Sequence, residues 1–237
     1  MRVTLNGIVS ADDDLEVYQW WGYQAFSPQT VRDALAENPE GEELVLEINS
    51  CGGSVQAGSE IYTVLRSSNI HTRAEIQSFA ASAASYLSLG CQEVYISPVA
   101  QMMIHHPMTC TSGNQTAHRQ SVQMLDSISD GILNAYEAKS KGKCSREDFA
   151  AMMESETWLT AQAALNAGLV DGILYEEDGA LSPTNVVNAL GIPDIAQLRA
   201  QYRTAHPVPA DPAPDNQTDW RAEARLEIEK TRFGGTT

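Results

Sequence analysis

The sequence predicts an α/β fold built around a parallel sheet. Two patterns take turns along the chain: stretches that alternate apolar and polar residues, as in half-buried strands, and stretches whose apolar residues recur every three or four positions, as on helices. Up to residue 90 the order is strand, helix, strand, helix, strand, helix, which is typical of parallel crossover units. With 237 residues, 43% of them hydrophobic, the chain is long enough to bury one sizeable core.

The first half of this pattern has clear boundaries. The elements predicted there are strands over residues 3–9, 44–48 and 71–76, and helices over residues 30–38 and from residue 55 onwards. The aspartates at 12–14 indicate an exposed turn, and Ser27 followed by Pro28 predicts a helix start, because proline is favoured in the first helical turn. Ser54 has the side chain of a helix cap. The strand over 71–76 leads into a run of small residues around Ser82.

The elements after Gly90 include one long helix. They are strands over residues 93–96 and 101–105, a long polar helix over 114–139, and short helices over 149–153 and 161–167. A turn at Ser97 and Pro98 separates the two strands, and Thr160 has the side chain of a cap for the last helix.

Beyond Leu181 the composition changes. We expect a short helical extension over residues 181–204, followed by a flexible region over 205–237 that consists of a linker rich in Pro and Asp and a terminal helix at 220–233. The linker is expected because residues 205–215 hold four of the ten prolines of the chain, a composition with little capacity to bury a core.

Charge and cysteine content exclude several classes of function. The formal net charge of −16 argues against binding to nucleic acid, which depends on clustered Lys and Arg. The four cysteines are far apart without a CxxC pair, so we expect neither a disulfide framework nor a metal site, and no cofactor. No apolar run approaches the roughly 18 residues of a membrane span. We expect a cytoplasmic protein that does not bind membranes.

Three features together predict nucleophilic catalysis by a serine. Ser82 lies among alanines at a predicted helix start, where backbone N–H groups can face a developing negative charge. The Gly52-Gly53 pair follows a strand and gives the backbone freedom to expose an amide. His105 ends a strand just before a proline, a rigid position for an imidazole base. A hydroxyl needs such a base and such amides to become an effective nucleophile.

Four ordered motifs resemble the ClpP family of serine peptidases, and more closely its phage-encoded relatives that act as head maturation (prohead) proteases. The matching segments are Ile-Asn-Ser-Cys-Gly-Gly at 48–53, Ala-Ala-Ser at 80–82, Met-Ile-His-His-Pro at 103–107, and Glu-Thr-Trp-Leu-Thr-Ala at 156–161 with Gly-Leu-Val-Asp at 168–171. The resemblance implies a ClpP/crotonase-like fold of repeated β-β-α units with a protruding oligomerisation helix. It also implies that residues 1–180 form a ClpP-like serine peptidase domain.

The resemblance implies the catalytic roles residue by residue. Ser82 is the nucleophile and His105 the general base. The aligned aspartate of the family is replaced by Glu156, whose longer side chain can still accept the imidazole N–H, and Glu154 is the reserve candidate for this position. The sequence Glu-Thr-Trp is frequent at this place in the phage branch.

The same resemblance implies how a substrate is held. The amides of Gly52 and Ala83 are the expected oxyanion donors, and an extended strand near Gly53, Ser54 and Val55 is expected to pair with the substrate backbone. Cys51 replaces the usual proline of the Asn-Ser-Pro-Gly-Gly loop, and nothing visible in the sequence would lower its pKa and make it a nucleophile.

The histidines other than His105 are assigned to structural or surface roles. These are His71, His106, His118 and His206. Adjacent residues of a strand point to opposite faces, so His105 and His106 are not expected to share a metal ion.

The expected partners are polypeptide substrates and further copies of the chain. The helix over residues 114–139 corresponds to the one through which rings of this family stack, so we expect a homo-oligomeric ring. The chain begins almost directly on its first strand, without the segment that gates unfoldase-dependent rings. This favours an ATP-independent protease that cleaves scaffold and capsid proteins within an assembling phage prohead, in the host cytoplasm.

Three alternatives remain open. The first is a general ClpP-like proteolytic subunit that works with a AAA+ unfoldase. The second is a crotonase-like acyl-CoA enzyme, which also uses glycine amides for an oxyanion. The third is a non-catalytic capsid-assembly or scaffold protein in which Glu156 marks a vestigial triad.

Overall fold

The computed structural model describes residues 1–175, which contain eight strands and seven helices. The strands are β1 (Arg2–Val9), β2 (Ala25–Phe26), β3 (Leu44–Gly53), β4 (Thr72–Ala81), β5 (Glu93–Ile96), β6 (Gln101–Ile104), β7 (Thr157–Thr160) and β8 (Gly172–Ile173). The helices are α1 (Asp12–Trp20), α2 (Pro28–Glu37), α3 (Val55–Ser67), α4 (Ala83–Ser88), α5 (Gln115–Ser140), α6 (Arg146–Glu154) and α7 (Ala161–Asn166). The expected extension over 181–204 and the linker and helix over 205–237 lie outside the described residues, as does the end of the domain expected at 180.

All eight strands belong to one sheet. Its main path runs in the order β2-β1-β3-β4-β5-β8, and β6 joins β4 to β7. Each pairing is parallel except that of β6 with β7. The α/β fold with a parallel sheet, predicted from the alternation of strands and helices, is therefore confirmed.

The core lies between the central strands and the helices that connect them. Leu44, Leu46 and Ile48 of β3 are completely buried, as are Ile61 and Leu65 on the inner side of α3. Strands of a parallel sheet are buried by their crossover helices, which explains why residues 44–48 read as an almost continuous apolar run. The burial of these side chains fixes the end of β3 and the start of α3, where Gly52 and Gly53 lie.

Strand β4 has two successive neighbours on one side. Ile76 in its first half pairs with Ile96 of β5, and Phe79 in its second half pairs with Gln101 of β6. The two predicted strands after Gly90 are therefore confirmed. Both extend along β4, which brings the end of β6 beside the end of β4.

Strand β7 was not predicted. It pairs antiparallel with β6, so that Met103 lies opposite Trp158 and Ile104 opposite Thr157. Its four residues lie between two helices, a span too short for a period-2 pattern to be recognised. This strand carries the residues after Glu156 to the edge of β6.

The expected turn at residues 12–14 is wrong, because these aspartates begin helix α1. Three carboxylates in a first helical turn are favoured by the positive end of the helix dipole. No residue of α1 is buried, so the segment lacks the apolar periodicity by which a helix is recognised. The two-residue strands β2 and β8 were also not predicted.

The long polar helix expected over 114–139 is confirmed as α5. Asn114 caps it, since its side chain accepts a hydrogen bond from the amide of Ala117 at 3.1 Å. The buried residues of α5 all lie in its second half, from Ser129 onwards, whereas Val122 and Met124 in the first half are exposed. The first half thus extends beyond the packed part of residues 1–175.

Within residues 1–175, no helix is both long enough and apolar enough to cross a membrane.

Candidate active site

Ser82 lies at the junction of β4 and α4 with a backbone conformation that is rare for a side-chain-bearing residue. Its φ of 54° and ψ of −123° store strain, which surrounding contacts must hold in place. The Ser82 amide donates to the carbonyl of Met103 at 2.8 Å, and its carbonyl accepts from the amide of Ser85 at 2.9 Å. The Ser82 side chain makes no helix-capping hydrogen bond. Its hydroxyl is therefore available to a base.

The base beside Ser82 is His105. Its Nε2 lies 2.7 Å from Oγ of Ser82, within hydrogen-bonding distance. His105 directly follows β6, and the pairing of β6 with β4 brings it to the serine. Sequence reasoning singled out these two residues, and the structure brings them together.

Helix α4 is a rigid support for Ser82 because all six of its residues are buried. Ser85 Oγ donates to the Ser82 carbonyl at 2.6 Å and lies 2.7 Å from the hydroxyl of Tyr136 on α5. Burial raises the pKa of Tyr136, so its phenol stays neutral. Ser88 donates to the carbonyl of Ser85 at 2.7 Å. These neighbouring hydroxyls fix the helix and are not available as nucleophiles.

Gly52 lies directly against the serine. With φ at +93°, it has a conformation that favours glycine, and a β-carbon there would be 2.7 Å from both the Ser82 Cβ and the Ala81 carbonyl oxygen, and 3.0 Å from the Ala83 amide nitrogen. The Gly52 amide itself donates to Oγ of Ser50 at 3.1 Å. A substrate oxyanion would have to replace this hydroxyl at the Gly52 amide.

Ala83 is the second expected oxyanion donor. It is the first residue of α4, so its amide has no partner within the helix. The helix N-terminus adds a partial positive charge at this place. The amide lies on the side of Ser82 that faces Gly52.

The segment expected to pair with substrate is extended only in part. Strand β3 ends at Gly53, and α3 begins at Val55, whose carbonyl accepts from the hydroxyl of Tyr86 at 2.9 Å. Between them Ser54 caps α3, as predicted: its Oγ accepts from the amide of Ala57 at 3.3 Å. The backbone of Ser54 is still extended, whereas that of Val55 is helical, so the extended segment ends one residue earlier than predicted.

Glu156 lies in register with the base. Ile104 pairs with Thr157 at the end of the β6–β7 ladder, so His105 directly follows this pair on one strand and Glu156 directly precedes it on the other. Glu156 is exposed and has φ of 46°. Within residues 1–175, its carboxylate makes no hydrogen bond to the imidazole of His105. The fold brings the two residues side by side without joining their side chains.

Glu154, the reserve candidate for the acid, lies against a different histidine. Its Oε2 is 3.4 Å from Nε2 of His106, and Nδ1 of His106 is 3.0 Å from the hydroxyl of Ser129 on α5. The expected structural role of His106 agrees with these contacts.

An exposed aromatic pair lies on the same face of the sheet as His105. Phe79 of β4 and Trp158 of β7 pack edge to face, with ring centroids 5.6 Å apart, across the partly exposed Met103 of β6. Side chains alternate between the faces of a strand, so Met103 lies on the same face as His105, which directly follows β6. Sequence reasoning missed this pair because β7 was not recognised.

An apolar groove lies between α3, α4 and α5. Its volume is about 700 Å³, and its lining includes Val55, Tyr86, Met124, Ile128 and Ile132. Val55 lies two residues after Gly53, the last residue of β3, and Tyr86 lies one helical turn after Ser82. The groove is therefore lined by residues close in sequence to the serine and its predicted amide donors, but not by those residues themselves.

The cysteines of the described residues are all free. Cys51 is exposed near the end of β3, while Cys91 is buried, which raises the pKa of its thiol to about 12. Within residues 1–175, no three His, Cys, Asp or Glu side chains converge on a position that could hold a metal ion.

Comparisons with known proteins agree with this geometry. The Clp protease family model matches residues 31–177. The chain is 32% identical over 146 residues to the ATP-dependent Clp protease proteolytic subunit 1 of Chlamydia abortus, a match that covers 58% of this chain and 72% of that protein. It is 30% identical over 158 residues to subunit 2 of Nocardia farcinica, covering 66% and 73% of the two chains. Because the family model matches more than half of the sequence, the chain belongs to the Clp protease family.

Proposed function

We propose that the protein is a serine endopeptidase in which Ser82 is the nucleophile and His105 the general base. The observation that carries this proposal is the 2.7 Å distance between Ser82 Oγ and His105 Nε2, at a serine whose hydroxyl caps no helix. Membership of the Clp protease family supports the same reaction class. The strained backbone of Ser82 also favours a functional role, because such strain concentrates at active sites.

The proposed reaction is acyl transfer in two stages. His105 Nε2 takes the hydroxyl proton of Ser82 as Oγ attacks the peptide carbonyl, and the imidazolium then gives this proton to the leaving amine nitrogen as the C–N bond breaks. Water next attacks the acyl-enzyme and gives its proton to Nε2, and the proton returns to Ser82 Oγ as the ester bond breaks. The amides of Ala83 and Gly52 hold the oxyanion in both stages.

Glu156 is the proposed third member of the triad. When Nε2 of His105 accepts the serine proton, Nδ1 carries the N–H, and a carboxylate in the next register position can accept it. The exposed Glu156 side chain would have to turn towards His105 for this contact to form.

Polypeptides are the proposed substrates, with binding at Gly53, Ser54 and Val55 and in the neighbouring groove. Gly53 ends the extended part of β3 and can offer its backbone to the substrate backbone. The groove at Val55 and Tyr86 is lined largely by apolar side chains, which fits an apolar side chain of the substrate.

We propose a homo-oligomeric ring as the working form. The first half of α5 supports this, because it extends from the packed core with Val122 and Met124 exposed. Native mass spectrometry of the wild type and of a Val122→Asp, Met124→Asp variant tests it. A smaller assembly is expected for the variant, whereas a wild-type monomer would contradict the ring.

The proposed biological role is ATP-independent maturation of phage heads by cleavage of scaffold and capsid proteins. Its support is the Glu-Thr-Trp sequence at 156–158, which resembles the phage branch of the family. The competing role is a proteolytic subunit that works with a AAA+ unfoldase, and the names of the relatives, ATP-dependent Clp protease proteolytic subunits, favour it. Cleavage of scaffold protein without ATP supports the first role, whereas cleavage only with an unfoldase and ATP supports the second.

A fluorophosphonate probe tests the reaction itself. Wild type is expected to be labelled at Ser82, and Ser82→Ala is expected to remain unlabelled. Equal labelling of the two would refute the nucleophile. A wild type that is neither labelled nor active on peptides would favour the non-catalytic scaffold role, and binding of a CoA thioester would favour the crotonase-like alternative.

A further inference from the structure

His106 makes two side-chain contacts that reach different elements of the fold. Nδ1 lies 3.0 Å from Oγ of Ser129 on α5, and Nε2 lies 3.4 Å from Oε2 of Glu154 at the end of α6. His106 itself directly follows the catalytic base His105. A single imidazole thus connects the end of β6 with two helices.

The chemistry of the two partners assigns the roles of the ring nitrogens. A carboxylate can only accept a hydrogen bond, so the contact with Glu154 favours a proton on Nε2. In that tautomer Nδ1 can accept a hydrogen bond from the Ser129 hydroxyl. One tautomer of His106 is therefore compatible with both contacts.

The Ser129 contact is the stronger of the two. Ser129 is buried in the packed half of α5, where a hydrogen bond meets little competition from water. The side chain of Glu154 is 82% exposed, and an ion pair at such a place contributes little. The anchor of His106 is therefore α5, and the contact with Glu154 adds orientation.

Two residues of this connection lie close in sequence to proposed catalytic residues: His106 to His105, and Glu154 to Glu156. The backbone of His106 is bonded to that of His105, so a fixed His106 limits how far the base can move from Ser82. Glu154 is the last residue of α6, and the turn of Ser155 and Glu156 that follows it leads into β7 at Thr157, the partner of Ile104. A displacement of a catalytic base by about 1 Å is enough to reduce turnover.

We propose that His106 is a positioning residue for catalysis, which holds His105 against Ser82 through its hydrogen bond to Ser129. The inference rests on the proposed peptidase function. In this role the hydrogen bond between His106 and Ser129 is required. In a purely space-filling role, a ring of similar size without the hydrogen bond would be sufficient.

Four variants test this role. His106→Phe keeps a ring but removes both contacts, and Ser129→Ala removes only the hydroxyl. His106→Gln supplies an amide that can bond to Ser129. The matched control is His71→Phe, because His71 is an exposed histidine that also contacts a glutamate, Glu43, at 3.1 Å, and lies at the start of β4 away from Ser82.

The measurements are kcat and KM on a peptide and the rate of Ser82 labelling by a fluorophosphonate. We expect kcat and the labelling rate of His106→Phe to fall about tenfold with KM unchanged. The kcat and labelling rate of Ser129→Ala should fall by the same factor. The double variant should fall no further, since both substitutions remove the same hydrogen bond between His106 and Ser129. His106→Gln should recover most of the loss, and His71→Phe should equal the wild type.

Two results would overturn the inference while leaving the proposed function intact: a labelled wild type with an equally reactive His106→Phe, or a loss in His106→Phe that His106→Gln does not restore. Failure of the wild type itself to label at Ser82 would instead refute the proposed function. Circular dichroism of each variant confirms folding. If His106→Phe fails to fold, the test rests on Ser129→Ala, which deletes only one oxygen atom: unchanged kcat and labelling rate in Ser129→Ala would then overturn the inference.

Discussion

Gly52 lies so close to Ser82 that a β-carbon on Gly52 would be 2.7 Å from the β-carbon of the serine. The same atom would fill the space between Gly52 and the Ala83 amide, where an oxyanion has to bind. The absence of a side chain at residue 52 is therefore as important to the proposed site as the hydroxyl at residue 82.

Gly52→Ala is expected to reduce the rate of fluorophosphonate labelling by about a hundredfold or more, the scale of losing one oxyanion donor. Gly41→Ala is the matched control, because Gly41 has a similar φ of +79° but a β-carbon added there would meet no atom within 4 Å beyond its chain neighbours. The control should lose about 1 kcal/mol of stability from backbone strain and keep its activity. Equal labelling of Gly52→Ala and Gly41→Ala would contradict the assigned role of Gly52.

Glu156→Gln should lower kcat and change KM little, since a neutral amide stabilises the imidazolium of His105 less than a carboxylate does. We expect a loss of about tenfold or more, and partial activity for Glu156→Asp, which keeps the charge. Glu147→Gln, at an exposed position in the first turn of α6, is the control. Full activity of Glu156→Gln would remove this residue from the triad.

The buried hydroxyls beneath Ser82 should contribute to stability. Ser85→Ala leaves the Tyr136 hydroxyl without its hydrogen bond and is expected to lower the free energy of unfolding by about 1–3 kcal/mol. Thr63→Ala should be close to neutral, because the Thr63 hydroxyl donates to the Ser59 carbonyl at an exposed site. Urea unfolding of the two variants measures the difference, and equal losses would contradict the importance of the buried pair.

Stability should fall at alkaline pH because of buried thiol and phenol groups. Burial raises the pKa of Cys91 from 9.0 to about 12, so the folded state keeps a proton that the unfolded chain releases. This contribution is complete below pH 9 and is lost as pH rises towards 12, with a slope of up to about 1.4 kcal/mol per pH unit. Tyr86, whose pKa burial raises from 10.0 to about 12, acts with the same sign above pH 10.

Urea unfolding at pH 8, 9 and 10 checks this prediction. Between pH 9 and 10 the free energy of unfolding of the wild type should decrease, and that of Cys91→Ala should decrease less steeply. The comparison uses the slope, because Cys91→Ala also leaves a small cavity that lowers stability at every pH. Parallel slopes for the two proteins would contradict the assignment to Cys91.

The sequence by itself determined the fold class and the order of the main strands and helices, and it singled out Ser82 and His105, whose side chains lie 2.7 Å apart. It could do so because burial of one face leaves a local periodicity in each long element, and because small residues around Ser82 and the proline after His106 mark sharp changes of direction. Strands over 93–96 and 101–105 and the long helix α5 were recognisable for the same reason.

Only the tertiary structure decided what lies beside these residues. The antiparallel pairing of β7 with β6 brings the segment that begins at Glu156 to the end of β6, next to His105. The Ser50 hydroxyl accepts a hydrogen bond from the Gly52 amide. The imidazole of His106 contacts Ser129 on α5 and Glu154 on α6. Each of these contacts joins residues that lack a shared local pattern, since strand register and side-chain partners depend on how distant segments pack. Helix α1 was missed for a related reason: none of its residues is buried, so no apolar stripe marks it.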